Sequence, residues 1–164
     1  MSRDKLIQSL RNVSLNWNIN CKNILSVGSR DDRELDNIQA IFKKSKVTGL
    51  DLFSASKRIV TGDMHNMPFE DLKFDATLSI HNQEHAYDPK KSLGEIFRVT
   101  KKGGLIAIEV PVNFEPSATD RVDYKNLLNL ITYFPEDSLE VLWSETFNRN
   151  DKDKANLRVI FKRK

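Results

Sequence analysis

The sequence predicts an α/β fold: a doubly wound, mostly parallel sheet with helices on both faces and an antiparallel last strand. Three observations predict it. From residue 23 to 133, short apolar runs alternate with stretches of helical period, the pattern of parallel strands covered by helices. Several runs end in glycine, aspartate or histidine, as strands do where they feed a ligand crevice at the carboxyl edge of a sheet. The last two runs are separated only by a charged loop. Parallel neighbours need a crossover of a dozen or more residues, so this pair forms a hairpin and the final strand is reversed.

The elements follow in order. Leu6, Ile7, Leu10 and Val13 recur at helical intervals and predict an amphipathic helix over 4–15. Residues 23–27 form the first strand, closed by Gly28. Leu35, Ile38, Ile41 and Phe42 mark a helix opened by Asp31, with Lys43, Lys44 and Lys46 at its end, where cations complement the dipole. Residues 47–52, 58–60 and 73–80 are the next three strands, and 92–99 is a helix. Residues 101–104 form a turn whose glycines can take φ > 0. Residues 105–110 are a fifth strand, stopped by Pro111. A helix is expected over 122–133, and closing strands over 139–147 and 157–162, joined by loop 148–154.

A length of 164 residues fits one domain. Residues 1–164 are therefore read as a single unit, with 1–20 a helical segment and 21–164 the core. No repeat or low-complexity linker interrupts them. The 26 basic and 23 acidic residues give a net charge of +3. That is too weak to argue for nucleic acid without a focused patch. Cys21 stands alone, which excludes an internal disulfide framework and a cysteine-based zinc site; it reads as a buried thiol. No run approaches the ~20 apolar residues that span a bilayer. The first ten residues mix charge with apolar side chains, unlike a secretion signal. A cytoplasmic location is the expectation.

Four strand-end loops should converge on one crevice: Gly28-Ser29-Arg30-Asp31, Asp51-Leu52, Gly62-Asp63-Met64-His65 and Ile80-His81-Asn82. A carboxylate about 20 residues after a glycine turn is placed to accept from ribose hydroxyls, and Asp51 fits; its alternative is a cap or surface turn. Asp63 fits an exocyclic amine such as adenine N6, with Met64 against the ring; its alternative is a plain Gly-Asp turn. His65, His81 and His85 with Glu84 could on paper form a two-histidine, one-carboxylate metal site. Packing of the loop or lining of the crevice is the simpler reading, and no metal is expected. His81 is the best placed of the three to act as a base, with Glu84 or His85 as orienters. Phe53, Tyr87 and Phe114 are rim aromatics able to stack on a ligand.

Gly62-Asp63-Met64-His65-Asn66-Met67-Pro68-Phe69, Phe74-Asp75-Ala76-Thr77-Leu78-Ser79, Glu84-His85, Asp88-Pro89, Glu95-Ile96-Phe97-Arg98-Val99 and Lys102-Gly103-Gly104 follow one another in order. The set resembles the class I S-adenosyl-L-methionine (SAM)-dependent methyltransferases, in particular their UbiE-like (type 11) small-molecule group. The resemblance implies a Rossmann-like seven-stranded sheet with its last strand antiparallel, SAM as cofactor, and direct in-line transfer of a methyl group. The acceptor itself is not readable: beside a small molecule, the short acceptor region leaves a small open pocket compatible with a large acceptor (a glycan, a lipid-linked sugar or a protein) that reaches in from solvent. On this likeness Gly28, followed by Ser29 and Arg30, opens the cofactor loop. Asp51, followed by Leu52, holds the ribose; Asp63 and Met64, followed by His65, meet the adenine; Ile80 and His81 run past the methionine.

The chain departs from the family at that loop. Ser26 replaces an acid, and Arg30 and Asp32 replace the second and third glycines, which let the backbone approach a ligand. Asp31 or Glu34 is then a candidate partner for the cofactor's ammonium. The altered loop, and a segment of only about ten residues between Pro111 and the next helix, motivate an alternative: a methyltransferase-like binding or regulatory module with little or no activity. A nicotinamide-dependent oxidoreductase fits worse, because those glycines are missing and the terminal hairpin is foreign to it.

Overall fold

The computed structural model describes residues 2–54, 56–148 and 155–164. In chain order the elements are α1 (Ser2–Asn16), β1 (Asn23–Val27), α2 (Asp32–Ile41), β2 (Lys46–Asp51), β3 (Ile59–Thr61) and β4 (Phe74–Ile80). A single 3₁₀ turn (Gln83–His85), α3 (Pro89–Val99), β5 (Thr100–Val112), α4 (Leu127–Ile131), β6 (Leu139–Asn148) and β7 (Ala155–Arg163) complete it. The strands form one sheet in the order β3-β2-β1-β4-β5-β7-β6. β1 pairs in parallel with both β2 and β4. Sheet growth reverses there, and a crevice opens at such a switch point. β7 runs antiparallel between β5 and β6. Of the expected loop 148–154, residues 149–154 lie outside the described residues.

β1 shows why both faces are covered. Leu25 and Val27 pack with Leu93, Ile96 and Val99 of α3, while Ile24 packs on the other face with Leu6, Ile7 and Leu10 of α1 and Leu35 and Ile38 of α2. Successive strand side chains alternate faces, and both faces are buried, so the strand reads as a continuous apolar run. Two aspartates start the helices that frame the crevice. Asp31 accepts from the Arg33 N–H and opens α2; Asp88 accepts from the Lys91 N–H and opens α3, with Pro89 at the first helical position.

Three expected boundaries move. The 101–104 turn is absorbed into β5. Between the pairs Phe74–Thr100 and Ala76–Leu105, four residues of β5 (101–104) stand against one of β4, Asp75, a bulge that Gly103 makes possible at φ +76°. Pro111 does not stop the strand. Glu109 C=O accepts from His81 N–H on the β4 side; two residues on, the Pro111 nitrogen faces that side where the β4 pairing has ended, and β5 continues on β7 alone. The 122–133 helix shrinks to α4, because Lys125 adopts φ +59° and Asn126 caps the helix by accepting from Asn129 N–H.

Candidate functional site

A cleft of about 350 Å³ lies at the carboxyl ends of β1 to β4. Gly28, Asp51, Leu52, Asp63, Met64 and His65 line it together, with Asn82, His85, Tyr87 and Arg121. Its size falls within the range of small-molecule pockets. Ser29, Arg30, Ile80 and His81, also expected here, are not part of its lining.

The turn after β1 is tight. Gly28 sits at φ +84°, and a Cβ on it would fall 2.5 Å from the Asn82 side chain. Leu50 C=O accepts from both Gly28 N–H (2.7 Å) and Ser29 N–H (3.2 Å). Asp31 then caps α2 at once, so a single bend joins β1 to α2. Arg30 is exposed. Ser29 is buried and turns inward, donating to Ser26 C=O at 3.2 Å. Ser26 Oγ donates to Glu34 Oε1, which Ser29 Oγ also approaches at 3.4 Å. The carboxylate missing from β1 at position 26 thus enters from α2. Asp31 binds the Arg33 backbone N–H and, at 2.6 Å, its guanidinium. Neither Asp31 nor Glu34 lines the cleft.

Asp51 and Asp63 present carboxylates to the cleft in different ways. Asp51 Oδ1 accepts from Phe53 N–H at 3.2 Å, and its other oxygen has no hydrogen-bond donor among the described residues. Asp63 is elaborately held. Its Oδ1 accepts from His65 N–H (2.8 Å) and from His65 Nδ1 (2.6 Å), and its Oδ2 accepts from Tyr87 OH (3.2 Å). Asp88 N–H donates to His65 Nε2 at 3.4 Å, so the ring proton sits on Nδ1. Burial pushes the Asp63 carboxyl up, but the hydrogen bonds from His65 and Tyr87 outweigh it and hold the group below its ordinary range. Tyr87 stacks on His65 with ring centroids 3.6 Å apart.

His81 lies beneath the cleft wall, at φ +50°. Its Nε2 is 3.0 Å from Glu109 and its Nδ1 3.5 Å from Glu84. Glu109 is fully buried and accepts from Arg158 at 2.6 Å. Arg158 lies over Phe147 and reaches Glu145, which Lys5 also meets. Burial pushes the His81 imidazole down, yet hydrogen bonds to Glu109 and Glu84 raise it to about 9. Burial likewise pushes Glu109 up, and its bonds to His81 and Arg158 bring it below its usual range. At neutral pH His81 is therefore a cation between two carboxylates. It must lose its proton before it can take one. Of the two expected orienters, Glu84 reaches it, while His85 meets Thr119 C=O (3.0 Å) and Asp120 (3.3 Å) instead. The three histidines thus share no carboxylate: His65 meets Asp63, His81 meets Glu84 and Glu109, and His85 meets Asp120. Of the rim aromatics, Tyr87 lines the cleft; Phe53 and Phe114 do not.

Arg121 is the lining residue that no sequence signal marked. It comes from the irregular segment after β5, which the 3₁₀ turn pins in place. Glu84 C=O accepts from Arg121 N–H (2.7 Å) and Val122 N–H (3.0 Å), and Tyr124 OH donates to Gln83 C=O (3.1 Å). Asn82 was legible as a strand-end residue, but its contact with Gly28 needed the fold.

Among known proteins, the model of the methyltransferase domain family matches residues 25–108, just over half the chain. The demethylmenaquinone methyltransferase of Staphylococcus saprophyticus is 29% identical over 144 residues, covering 81% of this chain and 52% of that protein. The chain covers between 13% and 52% of the length of the curated relatives it matches. Many solved structures share the fold, two of them as follows. The 4+2 cyclase SpnF superposes with a TM-score of 0.76 at 14% identity, covering 98% of this chain and 81% of that one. A geranyl diphosphate methyltransferase in complex with SAM gives 0.75 at 11% identity, covering 96% and 85%. With the sheet order, the crevice and this match together, the chain belongs to the methyltransferase domain family.

Proposed function

We propose that the cleft binds SAM and that the protein transfers its methyl group to a small-molecule acceptor. The observation that carries this reading is the Asp51 carboxylate, open on one oxygen at the end of β2, in the cleft that Gly28 also lines. The residues fit the cofactor. Gly28 leaves room where any side chain would collide with Asn82. Asp51 would hold the ribose hydroxyls, and Asp63 with Met64 the adenine. Asn82 Nδ2 donates to Met64 Sδ at 3.1 Å and so ties the wall opposite Gly28 to the base end.

Bound SAM supplies a methyl carbon that is already electrophilic, so alignment and exclusion of water are the protein's main tasks. The segment pinned by Glu84 and Gln83 forms one wall of the cleft through Arg121. The His81 backbone, bonded to Glu109 C=O at 2.8 Å, fixes where Asn82 stands. With His81 charged at neutral pH, it is not the group that would take a proton from the acceptor. The names of the relatives, a demethylmenaquinone and a geranyl diphosphate methyltransferase, support a small-molecule acceptor; the cyclase on the same fold is why binding and turnover are tested apart.

Calorimetry with S-adenosylhomocysteine should show one site per chain, with SAM competing for it. Transfer of radiolabelled methyl to candidate acceptors then tests turnover. Absence of both heat and thermal shift at millimolar ligand would sink the proposal; binding without transfer would support the inactive-module alternative.

A further inference from the structure

We propose that Tyr87 determines base specificity in this cleft: its hydroxyl and Asp63 form two adjacent acceptors that admit a base with an exocyclic amine and reject one with a carbonyl there. The inference rests on the reading that the cleft takes SAM, and it assigns a role to a side chain that reading does not need.

The argument is a count of donors and lone pairs. Asp63 Oδ1 already accepts twice, from the backbone N–H and from Nδ1 of His65, which fills its two lone-pair positions. Only Oδ2 has capacity left, and it takes one bond from Tyr87 OH at 3.2 Å. A phenol has one proton. Given to Oδ2, it leaves the Tyr87 oxygen with lone pairs only. The two atoms left with capacity, Asp63 Oδ2 and Tyr87 Oη, are therefore both acceptors, 3.2 Å apart. An amine carries two hydrogens and can satisfy both. A carbonyl oxygen brings lone pairs to two lone-pair bearers and is repelled by each.

His65 is the positioning residue of this pair. Its ring is buried, its proton is fixed on Nδ1 because Asp88 N–H occupies Nε2, and its face carries the Tyr87 ring at 3.6 Å and 23°. Tyr87 itself is 60% exposed, so core packing does not account for its placement. Its position is set by the stack on His65 and the bond to Asp63.

The test compares the affinities of S-adenosylhomocysteine and S-inosylhomocysteine, which differ in the amine against the carbonyl, for the full chain. A site built to hydrogen-bond a group rejects the analogue that lacks it, and the wild type should prefer the adenosyl ligand by about 100-fold or more. Tyr87→Phe keeps the stacked ring and removes one acceptor; the preference should fall about tenfold. Tyr87→Ala should show the same reduced preference and weaker binding of both ligands. An unchanged preference in Tyr87→Phe overturns the inference while leaving SAM binding intact. Asp63→Asn separates the two readings. If the wild type binds S-adenosylhomocysteine and this variant keeps the full preference, the base lies elsewhere and the assignment of Tyr87 falls with that of Asp63. If the wild type binds neither ligand, the SAM reading fails and takes this inference with it.

Discussion

His65 and His81 both follow strands that end at the same crevice, and both touch a carboxylate, at 2.6 and 3.0 Å. They differ in what meets the second ring nitrogen. At His65 it is a backbone N–H, that of Asp88. One ring nitrogen then accepts, the other donates to Asp63, and the Asp63 carboxylate faces the cleft. At His81 it is a second carboxylate, Glu84. Both nitrogens are drawn toward negative charge and the ring is a cation. Its charge is taken up by Glu84 and Glu109 in a network that continues through Arg158 to Glu145 and Lys5. The same residue pair thus leaves charge available to a ligand on the β3 side and consumes it on the β5–β7 side. On the proposed reading the first arrangement serves recognition; the second fastens the antiparallel end of the sheet to the crevice.

The contrast breaks most visibly at Arg158. Removing one partner of a buried pair leaves an uncompensated charge, which costs about 3–5 kcal/mol. Arg158→Met takes that partner from Glu109, which is fully buried. The melting temperature should fall by roughly 10 °C or more, while affinity for S-adenosylhomocysteine, measured well below the melt, moves by less than about threefold. An affinity loss as large as that of a cleft variant would show that the network belongs to recognition after all.

The next effect is a pH dependence. The folded His81 imidazole lies at about 9, above its ordinary value of about 6.5. Between those values the folded chain holds a proton that the unfolded chain has released. The contribution is complete below about pH 6.5 and is lost as pH rises toward 9; with a gap of this size it is on the order of 3 kcal/mol. Urea midpoints at pH 6, 7, 8 and 9 should therefore decline in the wild type, and the decline should be shallower in His81→Gln. Parallel curves for the two proteins would remove the charged imidazole from the account.

Much of this was legible in the chain because it is local. β1 was placed residue for residue, since an apolar run that ends in glycine has one reading. Asp31 was legible as the start of α2 because a cap needs only its own next turn. Gly28, Asp51 and Asp63 follow from strand ends, and the topology then brings them together. The illegible parts are contacts between distant positions. Arg158 meets Glu109 across 49 residues, and Glu34 supplies from α2 the carboxylate that β1 lacks. His81 looked like a base because its own segment shows a histidine at a strand end; its two carboxylate partners are what make it a cation. The glycines of 101–104 are legible as able to take φ > 0, and Gly103 does, but whether that makes a turn or a bulge depends on β4 pairing beside it.

Asp51 gives the smallest stability effect and the sharpest test of the division. Among the described residues its side chain makes one hydrogen bond, to Phe53 N–H. Asp51→Asn keeps an oxygen for that bond and loses the charge, so the unfolding free energy from urea titration should change by no more than about 0.5 kcal/mol, as for an ordinary surface change. A hydrogen bond to a charged group contributes about 1.5–3 kcal/mol, so affinity for S-adenosylhomocysteine should drop about 10- to 100-fold. Arg158→Met and Asp51→Asn then form opposite cases: stability without affinity, and affinity without stability. Because the two sites share no partner, the double variant should show the sum of both effects. A shortfall from additivity in the affinity would mean that His81, which joins the network to the Asn82 wall, carries strain from one region into the other.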